Sequence, residues 1–124
     1  MLKILHVDDE PDIREVAALA LEIDPGVEVR SASSGGEALS ILVGDWKPDV
    51  ILLDVMMPEL DGPGTLELLR KLPGHAATPV IFMTARAQAN EQGRYLALGA
   101  IAVITKPFDP MSLAEQIRAH MAAP

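Results

Sequence analysis

Residues 49–58 read Asp49-Val50-Ile51-Leu52-Leu53-Asp54-Val55-Met56-Met57-Pro58, an apolar run with one carboxylate near its middle. Asp49–Leu53 is short and almost wholly Val, Ile and Leu, which suits a strand covered on both faces rather than one that alternates toward water. An acid closing such a strand is costly without a partner, so Asp54 reads both as a strand end and as a candidate functional group. Val50–Pro58, the longest nearly apolar stretch, is broken by that acid and is too short to cross a bilayer.

Similar runs flank it. Leu2–Val7, Val27–Ser31, Pro79–Met83 and Ile101–Thr105 supply four more strand candidates. Apolar residues at helical spacing fill the gaps: Ile13, Val16, Ala17 and Ala20; Ala38, Leu39, Leu42 and Trp46; Leu66, Leu69 and Leu72; Leu113, Ile117 and Met121. Gln88–Leu98 has a thinner apolar face with Gly93 inside it, which lowers its helical tendency. Pro11 suits a first helical turn, and Pro25-Gly26 separates helix from strand. Asp61-Gly62 marks a turn and Gly99 suits a helix C-terminal cap, while Asp109-Pro110 reads as a cap followed by a first helical residue.

Five strand–helix units in alternation imply one α/β domain over residues 1–124, a parallel sheet with helices on both faces and right-handed crossovers. The pattern alone leaves the strand order open. Ligands of such sheets sit beyond the carboxyl ends of the strands. Asp8 and Asp9 follow the first strand, and Asp54, Thr84 and Lys106 close the third, fourth and fifth. Three acids, a hydroxyl and an amine would meet at one edge.

Composition bounds the chemistry. A chain of 124 residues that is 49% hydrophobic can bury a core without staples. It has no cysteine, which removes disulfides and thiol chemistry and fits a reducing, cytoplasmic setting. The N-terminal apolar run passes straight into acids, unlike a signal peptide. Eighteen acids against ten bases give a formal charge of −8, with no Lys/Arg cluster of the kind that grips phosphate backbones. Neither direct nucleic-acid binding nor membrane insertion is expected.

Three converging carboxylates repel one another and call for a cation. Hard oxygen donors favour Mg²⁺, with Mn²⁺ as a substitute, whereas His6, His75 and His120 are too scattered for zinc. A carboxylate can also take a phosphoryl group as a nucleophile. Mg²⁺, the Lys106 ammonium, and the Thr84 hydroxyl with the Ala85 amide would then each face one phosphoryl oxygen. Each residue alone has a plainer reading. Asp8 and Asp9 could cap the first helix, Lys106 could be a surface lysine, and Thr84 a β-branched strand residue. The histidines read as structural or surface groups, and Trp46 and the methionines as core filling.

Asp8-Asp9-Glu10-Pro11, Leu53-Asp54-Val55-Met56-Met57-Pro58 with Asp61-Gly62, Met83-Thr84-Ala85 and Lys106-Pro107-Phe108 together resemble the receiver domains of two-component response regulators. The resemblance spans essentially the whole chain. It implies a flavodoxin-like (βα)₅ fold with strand order 2-1-3-4-5 and a cis Lys106-Pro107 bond. It also implies that Asp54 is the phospho-acceptor, that Asp9, Asp54 and the Met56 carbonyl ligate Mg²⁺ with Asp8 acting through water, and that Thr84 and Lys106 contact the phosphoryl group. The donor would be a histidine kinase or histidine phosphotransfer protein, and the chain would catalyse only its own phosphorylation and dephosphorylation.

Ending after the fifth helix, the chain is expected to carry no output domain and to signal by binding another protein through its fourth helix, fifth strand and fifth helix. A phosphorelay intermediate or phosphate sink, docked through Ile13 and Pro107, uses the same site. A haloacid-dehalogenase-type hydrolase would need a second Asp where Met56 stands, and a flavodoxin would need a Ser/Thr/Gly-rich loop where the acids stand.

One position departs from the family. Val103 replaces the aromatic residue whose rotamer commonly follows the threonine, which shifts attention to the loop after Thr84 or to Tyr95. Met56 and Arg86 stand where side chains line water's route to the phosphoryl group, and are expected to slow its hydrolysis.

Overall fold

Strands β1 (Leu2–Val7), β2 (Val27–Ala32), β3 (Val50–Asp54), β4 (Val80–Thr84) and β5 (Ala102–Thr105) form one parallel sheet in the order β2-β1-β3-β4-β5. This is seen in a computed structural model that describes residues 1–86 and 88–122. The helices are α1 (Pro11–Glu22), α2 (Gly35–Leu42), α3 (Gly62–Leu69), α4 (Ala89–Ala97) and α5 (Leu113–Ala122).

Alternation along each strand divides the core in two. Leu5 and Val7 of β1, Ile51 and Leu53 of β3, and Val80 and Phe82 of β4 pack with Leu42, Leu66, Leu69 and Tyr95 of α2, α3 and α4. Ile4, Val50, Leu52, Ile81 and Met83 point the other way, against Ala17, Ala20 and Leu21 of α1 and Leu113 and Ile117 of α5. Burying each large side chain of this kind is worth roughly 1.5–3 kcal/mol. All five residues of β3 and of β4 are buried, as the continuous apolar runs required. Both functional strand ends are therefore held by a sheet packed on two sides.

Several boundaries differ from the sequence reading for local reasons. Pro79 has no amide to give the ladder, so β4 starts at Val80 and takes in Thr84. β3 shifts likewise to include Asp54, β5 starts at Ala102, and β2 runs on to Ala32. Asp61-Gly62 is a helix start rather than a separate turn: Asp61 accepts a bond from the Gly64 amide at 2.8 Å and caps α3. Asp109-Pro110 does not open α5. The Asp109 carboxylate takes the Met111 amide at 3.0 Å and closes a turn, and the helix begins at Leu113. Pro11 opens α1 as expected, and Gly99 follows the α4 cap with φ 114°, where a side chain would be strained.

Met57 and Met83 fill the core, but Met1, Met56 and Met111 are exposed, because they lie at the terminus or in connections rather than on packed faces. Among the residues of α4, Tyr95 alone is buried, its ring 5.4 Å from that of Phe82. Val103 is half-buried against the same cluster.

Glu59, in the loop after β3, is a non-glycine residue at φ 67°. That backbone region costs an ordinary L-residue roughly 1–2 kcal/mol, against about 0.4–1 kcal/mol for the extra freedom glycine brings to the unfolded chain. Glu59→Gly is therefore expected to raise stability by about 0.5–1 kcal/mol in urea titrations. A loss would mean that the glutamate side chain makes a compensating contact.

Candidate functional site

The carboxyl edge of the sheet brings together residues far apart in sequence. Asp8 is 0% exposed and Asp54 3%, at the ends of the adjacent strands β1 and β3. The Lys106 ammonium joins them, 2.7 Å from Asp8 Oδ2 and 3.1 Å from Asp54 Oδ1. The amide of Lys106 donates to the Thr84 carbonyl at 2.8 Å, and its peptide bond to Pro107 is cis.

Asp8 is fixed at every polar atom. Its amide donates to the Ala32 carbonyl at 3.1 Å, and its Oδ1 accepts from the Glu10 amide at 2.9 Å. Its Oδ2 accepts from Lys106, and its carbonyl accepts from Arg14 Nη1 at 2.7 Å. Asp8 is thus not a helix cap: α1 is entered through Glu10, which makes no side-chain cap bond.

Carboxylate oxygens of Asp8, Asp9 and Glu10 lie within 4.8 Å of one another. Asp54 is not one of that tight trio and meets Asp8 through the Lys106 ammonium. Asp9 is half-buried and Glu10 exposed, so the trio opens toward solvent.

The electrostatics follow from burial and charge. Burial, then the negative charge of Asp8, pushes the Asp54 carboxyl up to about 6, and the Lys106 ammonium only partly offsets them. Burial would lower Lys106, but its hydrogen bonds to Asp8 and Asp54 outweigh that and hold it above the usual lysine range. His6 lies two residues before Asp8, fully buried, and neither ring nitrogen has a hydrogen-bond partner among the described residues. Burial brings its pKa down to about 4, so it adds no positive charge at neutral pH.

Thr84, 2% exposed, stands at the end of β4, and its hydroxyl oxygen accepts from the Arg86 amide at 3.0 Å. Ala85 and Arg86 are exposed beside it. The Met56 side chain, 67% exposed, leaves the loop after β3 toward solvent. Of the residues singled out in the sequence, the structure joins Asp8, Asp54 and Lys106 by direct contact. Asp9, Thr84 and Met56 sit on the adjoining segments, and among the described residues the ammonium pairs with Asp8 and Asp54 instead. Two participants were given no role at the site from the sequence. Glu10 belongs to the acid trio, a role its adjacency to Asp8-Asp9 could have signalled. Arg14 contacts a backbone carbonyl, and no side-chain pattern reveals such an acceptor.

Fatty or flat ligands have no place in this arrangement, which suits small, hard, charged ones: a divalent cation among the acids and an anion beside the lysine and threonine. An open parallel sheet in the order 2-1-3-4-5 with acids and a lysine at its carboxyl edge defines a flavodoxin-like protein of the CheY type. Residues 4–118 match the model of the response regulator receiver domain, and the chain belongs to that family.

Among its relatives, the probable transcriptional regulator ycf27 of Porphyridium aerugineum is 42% identical over 116 residues, covering 94% of this chain and 46% of the relative. The phosphate regulon transcriptional regulatory protein PhoB of Pseudomonas aeruginosa is 41% identical over 119 residues, covering 94% and 50%. The chain thus spans about half the length of these relatives. Among solved structures, the chemotaxis protein CheY4 of Vibrio cholerae superposes with a TM-score of 0.87 at 32% identity, covering 96% of this chain and 98% of that one. The family consists of signalling switches of two-component systems rather than metabolic enzymes. No helix among the described residues is long and apolar enough to cross a membrane.

Proposed function

We propose that this domain is switched by accepting a phosphoryl group on Asp54 from a histidine kinase or histidine phosphotransfer protein, in a Mg²⁺-dependent reaction. The observation that carries the reading is the Lys106 ammonium held between Asp8 and Asp54 at the edge where ligands of such sheets bind. The donors fit the ion: every acid at this edge offers hard carboxylate oxygen, and burial, followed by the negative charge of Asp8, raises Asp54 more than Lys106 lowers it. Asp9, Asp54 and the Met56 carbonyl would hold the ion, with Asp8 acting through water. A bound Mg²⁺ would supply positive charge to one phosphoryl oxygen.

An oxygen of the Asp54 carboxylate attacks phosphorus as the bond from phosphorus to the donor nitrogen breaks, and the freed imidazole keeps that electron pair. Lys106 turns from Asp54 to face a second phosphoryl oxygen. The Thr84 hydroxyl, now bound by the Arg86 amide, turns with the Ala85 amide to the third. Asp8 stays in place and keeps the loop and the ammonium near the reacting atoms.

The phosphoryl group adds roughly −1.5 to −2 charges, enough to bias a loop equilibrium of a few kcal/mol. The relatives named as transcriptional regulators are about twice this chain's length. Regulation of transcription is named for those whole proteins, and for this domain the proposed output is a phosphorylation-dependent change in what it contacts.

Intact mass after incubation with Mg²⁺ and acetyl phosphate, beside an Asp54→Asn control, tests the reading. One added phosphoryl group is expected, absent from the control and from a Mg²⁺-free sample. An adduct that survives in Asp54→Asn would place the acceptor elsewhere.

A further inference from the structure

Arg14 is half-buried in α1, and its guanidinium donates to the Asp8 carbonyl at 2.7 Å. Acids surround it in sequence at positions 8, 9, 10, 12 and 15. Among the described residues, no carboxylate lies within ion-pair distance of it. A cation placed among five acids yet bonded to a carbonyl is held there by geometry rather than by charge pairing. The other three bonds to Asp8 come from the neighbouring strand, its own loop and Lys106. Beside the helical backbone bond from the Arg14 amide to the Glu10 carbonyl at 3.1 Å, the Arg14 guanidinium is the side chain that ties Asp8 to the body of α1, and α1 is in turn fixed by Ala17, Ala20 and Leu21 in the core.

We infer that Arg14 is a positioning residue for the cation site: acting through the Asp8 carbonyl, it presets the Asp8-Asp9-Glu10 loop to receive a divalent ion. The inference rests on the proposed Mg²⁺ site. Two effects of Arg14 oppose each other. Its charge repels a dication, so that removing it would tighten Mg²⁺ binding. Its bond restrains the Asp8 backbone, so that removing it would loosen the loop and leave part of its ordering to the moment of ion binding. A bond from a charged donor to a partly buried carbonyl outweighs the repulsion of a charge that solvent screens.

The opposite signs make the test decisive. Mg²⁺ affinity is measured by calorimetry on wild type, Arg14→Ala and Arg14→Gln, with amide exchange at Asp9 and Glu10 followed in the metal-free proteins. Positioning predicts that Arg14→Ala binds Mg²⁺ about fivefold more weakly. Arg14→Gln, which keeps an N–H donor without the charge, should fall between it and wild type. Faster exchange at Asp9 and Glu10 should accompany the loss. Equal or tighter binding by the variants would overturn the inference, as would weaker binding with unchanged exchange. Should Arg14→Ala not fold, Arg14→Gln alone carries the same sign test. A wild-type protein that takes up no Mg²⁺ would instead overturn the underlying site.

Discussion

Metal-free Asp54→Asn protein is expected to be more stable than wild type at pH 7 by about 3 kcal/mol, and to lose that advantage near pH 4. The cause lies in the buried edge of the sheet. The Asp54 carboxyl is raised from 3.8 to about 6 because burial and Asp8 disfavour its charge more than Lys106 favours it. A raised carboxyl binds its proton more tightly folded than unfolded. Below about pH 4 both states are protonated and no penalty exists. Between about pH 4 and 6 only the unfolded state ionises freely, and the folded state loses ground. Above about pH 6 the penalty is complete and constant, at roughly 1.4 kcal/mol for each of two pKa units. Asparagine keeps the shape and removes the charge. Urea denaturation of both proteins across this range should show curves that converge toward low pH. Parallel curves would mean that Asp54 is not strained by its surroundings. Since Asp54 is the proposed acceptor, the substitution that stabilises the fold is also the one expected to abolish phosphorylation, the usual relation between strain and function at a site.

Gly62→Ala is expected to cost about 3 kcal/mol. A Cβ there would lie 2.5 Å from the Asp54 carbonyl oxygen, 2.9 Å from Val55 Cα and 3.1 Å from the Phe82 ring. Two of those atoms are backbone of the fully buried β3 and the residue after it, so no rotamer change relieves the clash. The Gly62 amide also donates to the Val55 carbonyl at 2.9 Å, which pins the start of α3 against the acceptor strand. Either α3 lifts or Asp54 moves. Thermal unfolding and phosphoryl uptake should therefore fall together. A variant with wild-type stability and a displaced α3 would show that the contact is not a constraint.

The strands were legible because a sheet buried on both faces writes itself as unbroken Val, Ile and Leu, and the two most buried strands gave the clearest signal. Asp54 stood out because an acid at the end of such a run needs a reason. Lys106 was legible as a site residue, but its place between Asp8 and Asp54 in the metal-free protein was not. Sequence assigned it to a phosphoryl oxygen, whereas without one the nearest negative charges claim it. The Arg14 bond and the close approach at Gly62 both involve backbone partners, which carry no side-chain identity for a pattern to reveal. The late start of α5 was hidden for a similar reason: Asp109 closes a turn and caps a helix with the same carboxylate chemistry, and only tertiary packing chooses between them.

Tyr95 gives α4 an unusual mechanical character. A helix of nine residues with Gly93 at its centre cannot sustain itself in water, and its order is borrowed from whatever it rests on. Here most of that support is one aromatic ring seated on Phe82. The other helices rest on two to four buried residues each. α4, fastened like a board by a single screw, is therefore expected to lift at lower cost than the other helices while the sheet beneath it stays intact.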